Sequence, residues 1–235
     1  MSTENYREFF TKEHLMGPNS LKLLDELLLN APGAVDEGYV MDLGCGTGIT
    51  SLFLARETGA EKVFATDLWI AAGDNWQRAQ TWGQQGKIIP IHADAADLPY
   101  AEGFFQSIVS VDAYHYFGGQ EGFFAQKIMP LLAPGGWALL AMPGVKEEGA
   151  QNSPLMREWA GEEASLFHSV DWWKQNILQG TAGITVKGYE SARYDEAWSD
   201  WFTSGHEYAQ QDKAFMDRGM KDMMNFVMLE IHREG

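Results

Sequence analysis

One short segment constrains the fold of this chain more than any other. Residues 40–48 read Val-Met-Asp-Leu-Gly-Cys-Gly-Thr-Gly, and a helical apolar pattern follows directly at 49–57. This order predicts a buried strand, a tight turn and a helix. Glycine permits positive φ and a close approach of the backbone, so a ligand can lie against the turn and the first amides of the helix.

The rest of the chain repeats the alternation of strand and helix. Strand patterns occur at 39–43, 62–66, 88–92, 105–111 and 136–142, with helical patterns at 19–29, 49–57, 71–85 and 121–132. Two more strand patterns follow at 181–189 and 223–232. We therefore expect an α/β fold: a three-layer, Rossmann-like sheet of seven mostly parallel strands with helices on both faces. Ligands of such sheets bind at the carboxyl ends of the strands.

Composition and charge limit the classes of partner. The chain of 235 residues has 17 Lys and Arg against 33 Asp and Glu, a formal charge of −16. This charge disfavours nucleic acids and anionic membranes and favours neutral or cationic small molecules. A single cysteine rules out an internal disulfide framework, and the histidines lack metal-ligand spacing, so we expect no metal. Residues 1–10 lack the apolar core of a signal peptide, and a cytoplasmic protein is expected.

The spacing of the glycines limits which class of ligand the loop can bind. Dinucleotide enzymes use G-x-G-x-x-G, whereas here the third glycine, Gly48, comes one position early and Ile49 follows it. Asp42, at the end of the strand, would repel a pyrophosphate but attract an ammonium or a sulfonium group. The alternative is an ordinary tight turn in which Asp42 caps the next helix.

The segment from Asp42 to Gly48 resembles the first motif of class I S-adenosylmethionine-dependent methyltransferases, and further motifs follow in order over residues 17–142. The resemblance, to members that act on small molecules, implies S-adenosyl-L-methionine as cofactor. It implies a carboxylate for the ribose hydroxyls at Asp67, apolar contacts to adenine at Leu68 and Trp69, and further contacts near adenine at Asp94. The implied cofactor-binding residues are Asp42, Gly44, Cys45, Gly46, Thr47, Gly48, Asp67, Leu68, Trp69, Asp94, Ala95 and Ser110.

Several of these residues have a structural alternative. Asp67 suits a helix N-cap as well as a ribose, and Trp69 suits the core as well as adenine. Cys45 has no activating cation in the sequence, so we expect its side chain to pack under the loop rather than act as a nucleophile.

The segment after the fourth strand pattern carries the candidate catalytic residues. It contains Asp112, Tyr114 and His115 where the acceptor should meet the methyl group. We hypothesise that His115 is a general base or an orienting group and that Tyr114 lines the pocket; a packed histidine in an aromatic turn is the alternative. The D/N-P-P-Y motif of enzymes that methylate nucleic-acid amino groups is absent, and so is a second cysteine for cytosine C5 chemistry.

The expected organisation is one domain over residues 1–235. Residues 1–35 form a helical lid, in which Tyr6, Phe9 and Phe10 close over the cofactor, and insertions at 145–180 and 190–222 cover the acceptor. The methionine-rich segment 216–228 suits either core packing or an oligomer contact, so a homodimer stays open. An NAD-linked oxidoreductase and a non-catalytic S-adenosylmethionine-binding module are the rival functions. The atom methylated (O, N, S or C) is open as well.

Overall fold

The computed structural model describes residues 3–235, in which seven strands form one sheet. The strands are β1 (Tyr39–Leu43), β2 (Lys62–Asp67), β3 (Ile88–His92), β4 (Phe105–Val111), β5 (Leu132–Val145), β6 (Ile184–Glu190) and β7 (Met224–Arg233). Their order across the sheet is β3-β2-β1-β4-β5-β7-β6. The first five strands pair in parallel, and β7 runs antiparallel to both β5 and β6. The expected α/β class with a mostly parallel, seven-stranded sheet is confirmed.

Helices cover both faces of this sheet. They are α1 (Ser20–Asn30), α2 (Ile49–Glu57), α3 (Ala72–Thr81), α4 (Pro154–Ala160), α5 (Val170–Leu178), α6 (Tyr194–Thr203), α7 (Glu207–Phe215) and α8 (Lys221–Met223). One buried cluster contains Leu24, Phe53 and Trp198, and a second contains Phe124 and Trp173. Within residues 3–235, no helix is both long and apolar enough to span a bilayer.

Helix α1 joins the N-terminal segment to the segment that follows β6. Asn19 caps α1 by accepting a hydrogen bond from the Leu21 N–H at 3.0 Å, and its Nδ2 donates to Asp200 Oδ2 at 2.8 Å. The Ser191 hydroxyl donates to Glu26 Oε2 at 2.6 Å. The expected lid at 1–35 therefore rests on α6 and the turn before it; its first two residues lie outside the described residues.

The segment expected as a helix at 121–132 is helical, but not as one α-helix. A π-helical turn, Phe124–Ile128, is followed by a 3₁₀ turn, Met129–Leu131. Pro130 has no N–H for the helical ladder, and Gly122 holds a left-handed φ of 70° just before the π turn. Strand β5 also begins at Leu132 rather than at 136, because Leu132 already pairs with Phe105 of β4.

Candidate functional site

A cleft of about 410 Å³ lies beyond the carboxyl ends of β1, β2 and β4. This is the edge at which the strand order reverses, since β1 has β2 on one side and β4 on the other. Doubly wound sheets bind their ligands at this point. The cleft is lined by the glycine loop, by the residues that end β2 and β4, by 93–95, and by a stretch of the N-terminal segment from His14 to Ser20.

The glycine loop presents bare backbone to this cleft. Gly44 and Gly46 have φ values of 74° and 52°, which a side chain would strain. A Cβ at position 44 would overlap the Ala113 methyl group, and one at position 46 would lie 2.9 Å from Met16 Sδ. The loop thus has the conformation and the space that a closely approaching ligand requires.

Hydrogen bonds on both sides hold the Gly46 peptide. Its N–H donates to Asp67 Oδ2 at 2.8 Å, and its carbonyl oxygen accepts from Asn75 Nδ2 at 2.9 Å. Asn75 is buried on α3, and Arg78 Nη1 donates to Asn75 Oδ1 at 2.8 Å. Sequence reasoning missed Asn75, because a single asparagine in a polar helix gives no signal of a contact with a loop 29 residues away.

The sequence predicts two possible roles for Asp67, as a helix N-cap and as a ribose ligand, and its position is compatible with both. Its Oδ1 accepts the N–H groups of Trp69 and Ile70 at 2.7 and 2.8 Å, which is a capping arrangement. The same carboxylate lines the cleft and orders the glycine loop. Three N–H groups already donate to this carboxylate, which has about four acceptor sites, so Asp67 retains capacity for about one more donor, such as a ribose hydroxyl.

The other residues implied as cofactor-binding divide into two groups. The cleft lining includes Gly44, Cys45, Gly46, Thr47, Leu68, Trp69, Asp94 and Ala95. Trp69 is 65% exposed, so the alternative of a core tryptophan is wrong. Burial raises the pKa of the Cys45 thiol well above its usual range, and a thiol in that state is a poor nucleophile.

Asp42, Gly48 and Ser110 lie behind the cleft wall, so the structure corrects their expected contact with the cofactor. Asp42 Oδ2 accepts from the hydroxyls of Thr50 and Ser51 at 2.7 and 2.5 Å, and burial raises its pKa to about 6. Ser110 Oγ donates to the Leu43 carbonyl oxygen at 2.7 Å. These residues fix β1 against α2 and β4, and so shape the loop from behind.

The covering segment lies further along the chain than expected. Tyr6, Phe9 and Phe10 are buried away from this cleft; Tyr6 donates to Glu57 Oε1 at 2.7 Å on α2. The cleft is instead covered by residues 14–18. Their anchor is the His14 carbonyl oxygen, which accepts from Thr47 Oγ1 at 2.6 Å.

The aromatic segment after β4 forms a 3₁₀ turn, Tyr114–Tyr116. With three residues per turn, successive side chains leave such a turn in different directions. Tyr114 is fully buried 5.7 Å from the Trp173 ring, and His115 is buried 5.7 Å from the Phe167 ring. Of the three, only Tyr116 lines the cleft among the described residues, and its ring contacts that of Trp69 at 5.0 Å.

These directions correct two expectations about the acceptor side. Tyr114 does not line the cleft, because its ring belongs to the core on the other side of the turn. His115 does not line it either, and burial lowers its pKa to about 3, which leaves a weak base. The packing alternative describes the position of His115 better.

Asp112 remains at the acceptor end of the cleft. It is the one non-glycine residue in 3–235 with positive φ, at 59°. Burial and the negative charge of Asp212 raise the pKa of Asp112 to about 7. Asp212 is itself fixed by the indole N–H groups of Trp159 and Trp201, both at 2.8 Å. The insertion at 190–222 thus brings a second carboxylate toward the same end.

Within residues 3–235, no group of three or more His, Cys, Asp or Glu side chains is arranged to hold a metal ion.

Comparison with known proteins finds one family model that matches the segment containing the glycine loop. Residues 40–136 match the family model of the methyltransferase domain. The probable protein arginine N-methyltransferase 6 of Arabidopsis thaliana is 31% identical over 77 residues, which are 33% of this chain and 18% of that protein.

Solved structures resemble the fold over most of the chain. Phosphoethanolamine N-methyltransferase 2 of Haemonchus contortus, in complex with S-adenosyl-L-methionine, has a TM-score of 0.75 at 16% identity, covering 94% of this chain and 54% of that one. Geranyl diphosphate C-methyltransferase of Streptomyces coelicolor A3(2), in complex with Mg²⁺, geranyl diphosphate and S-adenosyl-L-homocysteine, has a TM-score of 0.70 at 15% identity, covering 89% and 78%. This chain therefore spans about half the length of the first of these proteins and a fifth of its curated relative.

Proposed function

Residues 40–136 carry a methyltransferase domain of the class I, S-adenosylmethionine-dependent type, and on that premise we propose that this protein transfers a methyl group to a small-molecule acceptor. The observation that carries the proposal is the bare backbone of Gly44 and Gly46 facing a cleft beside the Asp67 carboxylate. A ribose hydroxyl can donate to that carboxylate, and the glycine spacing, with Gly48 one position early and Ile49 after it, departs from the dinucleotide pattern.

The residues of the cleft fit S-adenosyl-L-methionine. Asp67 would accept the ribose hydroxyls, Leu68 and Ala95 would contact adenine, and Gly44 and Gly46 would leave space for the methionine part. When bound, the cofactor supplies an electrophilic methyl group on a sulfonium sulfur. The midpoint of the cleft, between the glycine loop and Asp112, is where that methyl group would meet an acceptor.

The protein's own contribution is alignment and the exclusion of water. Residues 14–18 cover the glycine loop, and the contacting rings of Trp69 and Tyr116 border the opening. Among the described residues, none of 145–180 or 190–222 lines this cleft; Phe167 packs against His115, and the charge of Asp212 raises the pKa of Asp112. That the insertions cover the acceptor within one domain stays a proposal.

The proposed partner is a small molecule rather than a polymer. The charge of −16 favours neutral or cationic acceptors over nucleic acids and anionic membranes. The acceptors that the solved relatives bind or act on by their names are phosphoethanolamine and geranyl diphosphate, which supports small-molecule methylation as the general class. The single free thiol is consistent with a reducing compartment such as the cytoplasm. The homodimer remains a proposal without a described contact.

A transfer assay tests the function. The protein is incubated with methyl-labelled S-adenosyl-L-methionine and a metabolite panel of alcohols, amines, thiols and carbon acids. We expect label in at least one acceptor, and about tenfold weaker binding of the demethylated product to Asp67→Asn, because that variant loses a charged acceptor. Asp97→Asn, an equal change of charge outside the cleft, is the control. Cofactor binding without transfer to any acceptor would favour the non-catalytic binding module.

A further inference from the structure

We propose that the acceptor is an amine that is protonated in water and carries no phosphate or carboxylate group, and that Asp112 binds its ammonium and takes its proton. This inference rests on the proposed function and names the substrate class of the same cleft.

The first argument is the charge of the cleft. Its charged lining side chains in residues 3–235 are all carboxylates: Asp67, Asp94 and Asp112. His14 also lines it, but burial and the charge of Arg78 lower the pKa of His14, so the ring is neutral at pH 7. Arg78 itself is bonded to Asn75 Oδ1. An anionic acceptor would therefore meet net repulsion in a partly desolvated space.

The charges just behind the acceptor end have the same sign. Asp212 acts on Asp112, and Asp112 and Glu163 both act on Tyr116. The two indole N–H groups hold Asp212 in place without neutralising it. The field at the acceptor end is thus negative, which favours a cation there.

The second argument is the condition of the Asp112 side chain. Within residues 3–235 its carboxylate makes no hydrogen bond, although the residue is partly buried. Gly17 leaves the space for it, since a Cβ at position 17 would lie 2.7 Å from Asp112 Oδ2. A carboxylate that is partly shielded from water and has no partner carries a cost in free energy. A bound ammonium, which has only donors, would supply the missing partner.

The third argument is the surroundings of this carboxylate. Val111, Tyr116 and Phe117 line the cleft next to Asp112 in the chain, and Trp69 contacts Tyr116. Apolar and aromatic walls suit the hydrocarbon part of an amine, and the ring faces attract its charge. An acceptor with its own anionic group has no cationic side chain to bind on these walls.

The chemical step follows from these contacts. The ammonium gives one proton to Asp112, which leaves a lone pair on nitrogen. That lone pair forms a C–N bond with the sulfonium methyl while the C–S bond breaks, and the C–S electron pair stays on sulfur. The products are a methylated ammonium and neutral S-adenosyl-L-homocysteine, and Asp112 passes its proton to water. One proton is released per transfer.

Calorimetry on the wild-type protein saturated with S-adenosyl-L-homocysteine tests substrate class by binding alone. The probes are ethanolamine, putrescine, tyramine and histamine, and the anionic counterparts are phosphoethanolamine and tyrosine. We expect at least one amine to bind, and ethanolamine or tyramine to bind at least about tenfold more tightly than its counterpart. Preference for the anionic counterparts, or binding of no amine in the panel, would overturn the proposal.

The variant Asp112→Asn tests the residue, because asparagine accepts the same left-handed backbone. We expect it to lose about tenfold in amine affinity and about a hundredfold in kcat/KM for N-methylation, with affinity for S-adenosyl-L-homocysteine within about twofold of wild type. Asp97→Asn again controls for net charge. Unchanged amine affinity in a folded Asp112→Asn protein would contradict the assignment. Failure of the wild-type protein to bind S-adenosyl-L-homocysteine would instead refute the proposed function.

Discussion

At the scale of single residues, Asp112 has two features that cost stability. Its φ of 59° is a conformation that residues with a side chain rarely adopt, and its carboxylate is partly buried without a hydrogen-bond partner among the described residues. Such costs are typical of positions that serve a ligand rather than the fold. The raised pKa of about 7 turns the second cost into a measurable dependence on pH.

We predict that Asp112→Asn raises the melting temperature at pH 8 but changes it little near pH 4. The folded-state pKa of Asp112 lies above its ordinary value of 3.8, so the folded protein favours the protonated form. The stability of the wild type should therefore fall as pH rises from about 4 to about 7, and the full penalty should apply above that range. Thermal scans of both proteins across pH 4–8 measure it. A lower melting temperature for the variant at pH 8 would contradict this reasoning.

Gly44 gives a second prediction at this scale. Gly44→Ala should destabilise the protein by at least about 1–2 kcal/mol, because alanine is strained at positive φ and its methyl group would overlap that of Ala113. The overlap should also displace the loop and weaken binding of S-adenosyl-L-homocysteine. Urea unfolding and calorimetry measure the two effects. Gly86→Ala, at an open position, is the matched control and should change neither by much; equal behaviour of the two variants would refute the role given to the loop.

At the scale of elements, α3 holds the glycine loop through a single side chain. Three glycines make the loop flexible in the unfolded chain, and the bonds from Asp67 and Asn75 fix the Gly46 peptide from opposite sides. The loop geometry therefore depends on two elements besides its own strand and helix.

We predict that Asn75→Ala weakens binding of S-adenosyl-L-homocysteine about tenfold and destabilises the protein by about 1 kcal/mol, since the part-buried Gly46 carbonyl oxygen loses its amide donor. Asn75→Asp retains an acceptor for Arg78 but no donor for Gly46, so it should share the loss of affinity. Gln80→Ala on the exposed side of α3 is the control. Full affinity in both Asn75 variants would show that the loop does not need this bond.

The helices and strands also show how much of the fold could be predicted from the sequence. The bounds of β1, β3 and β4 agree with those predicted from apolar patterns, although β3, at the edge of the sheet, is only partly buried. The π-helical and 3₁₀ form of the segment at 121–132 could not be predicted. Gly122 and Pro130 both disfavour a regular α-helix, but they do not determine which type of turn replaces it.

Some residues of the candidate site could also be predicted from the sequence, and others could not. The family resemblance indicated Asp67 and Asp94, and Asp112 was singled out because it follows the fourth strand; the structure brings all three to one cleft at the strand ends. The directions of the Tyr114 and His115 side chains were not predicted. In a 3₁₀ turn neighbouring side chains point in different directions, and packing, not the sequence pattern, decides which one faces the cleft. The roles of Asn75 and His14 arise from contacts with distant segments of the chain.

At the scale of the whole molecule, the acidic excess and the acidic cleft agree in sign. A formal charge of −16 attracts cations at long range, and the carboxylates of the cleft bind them at short range. The cofactor assigned to this cleft also carries a positive sulfonium, so the same field favours both substrates of the proposed reaction.

Calorimetric titration of the wild-type protein with S-adenosyl-L-methionine, S-adenosyl-L-homocysteine and NAD, in separate runs, tests the central claim most directly. Our account predicts saturable binding of the two sulfur nucleosides at one site per chain, with no binding of NAD, because the glycine spacing that ends at Gly48, with Ile49 after it, departs from the dinucleotide pattern. Saturable binding of NAD, with no heat from either sulfur nucleoside, would contradict it.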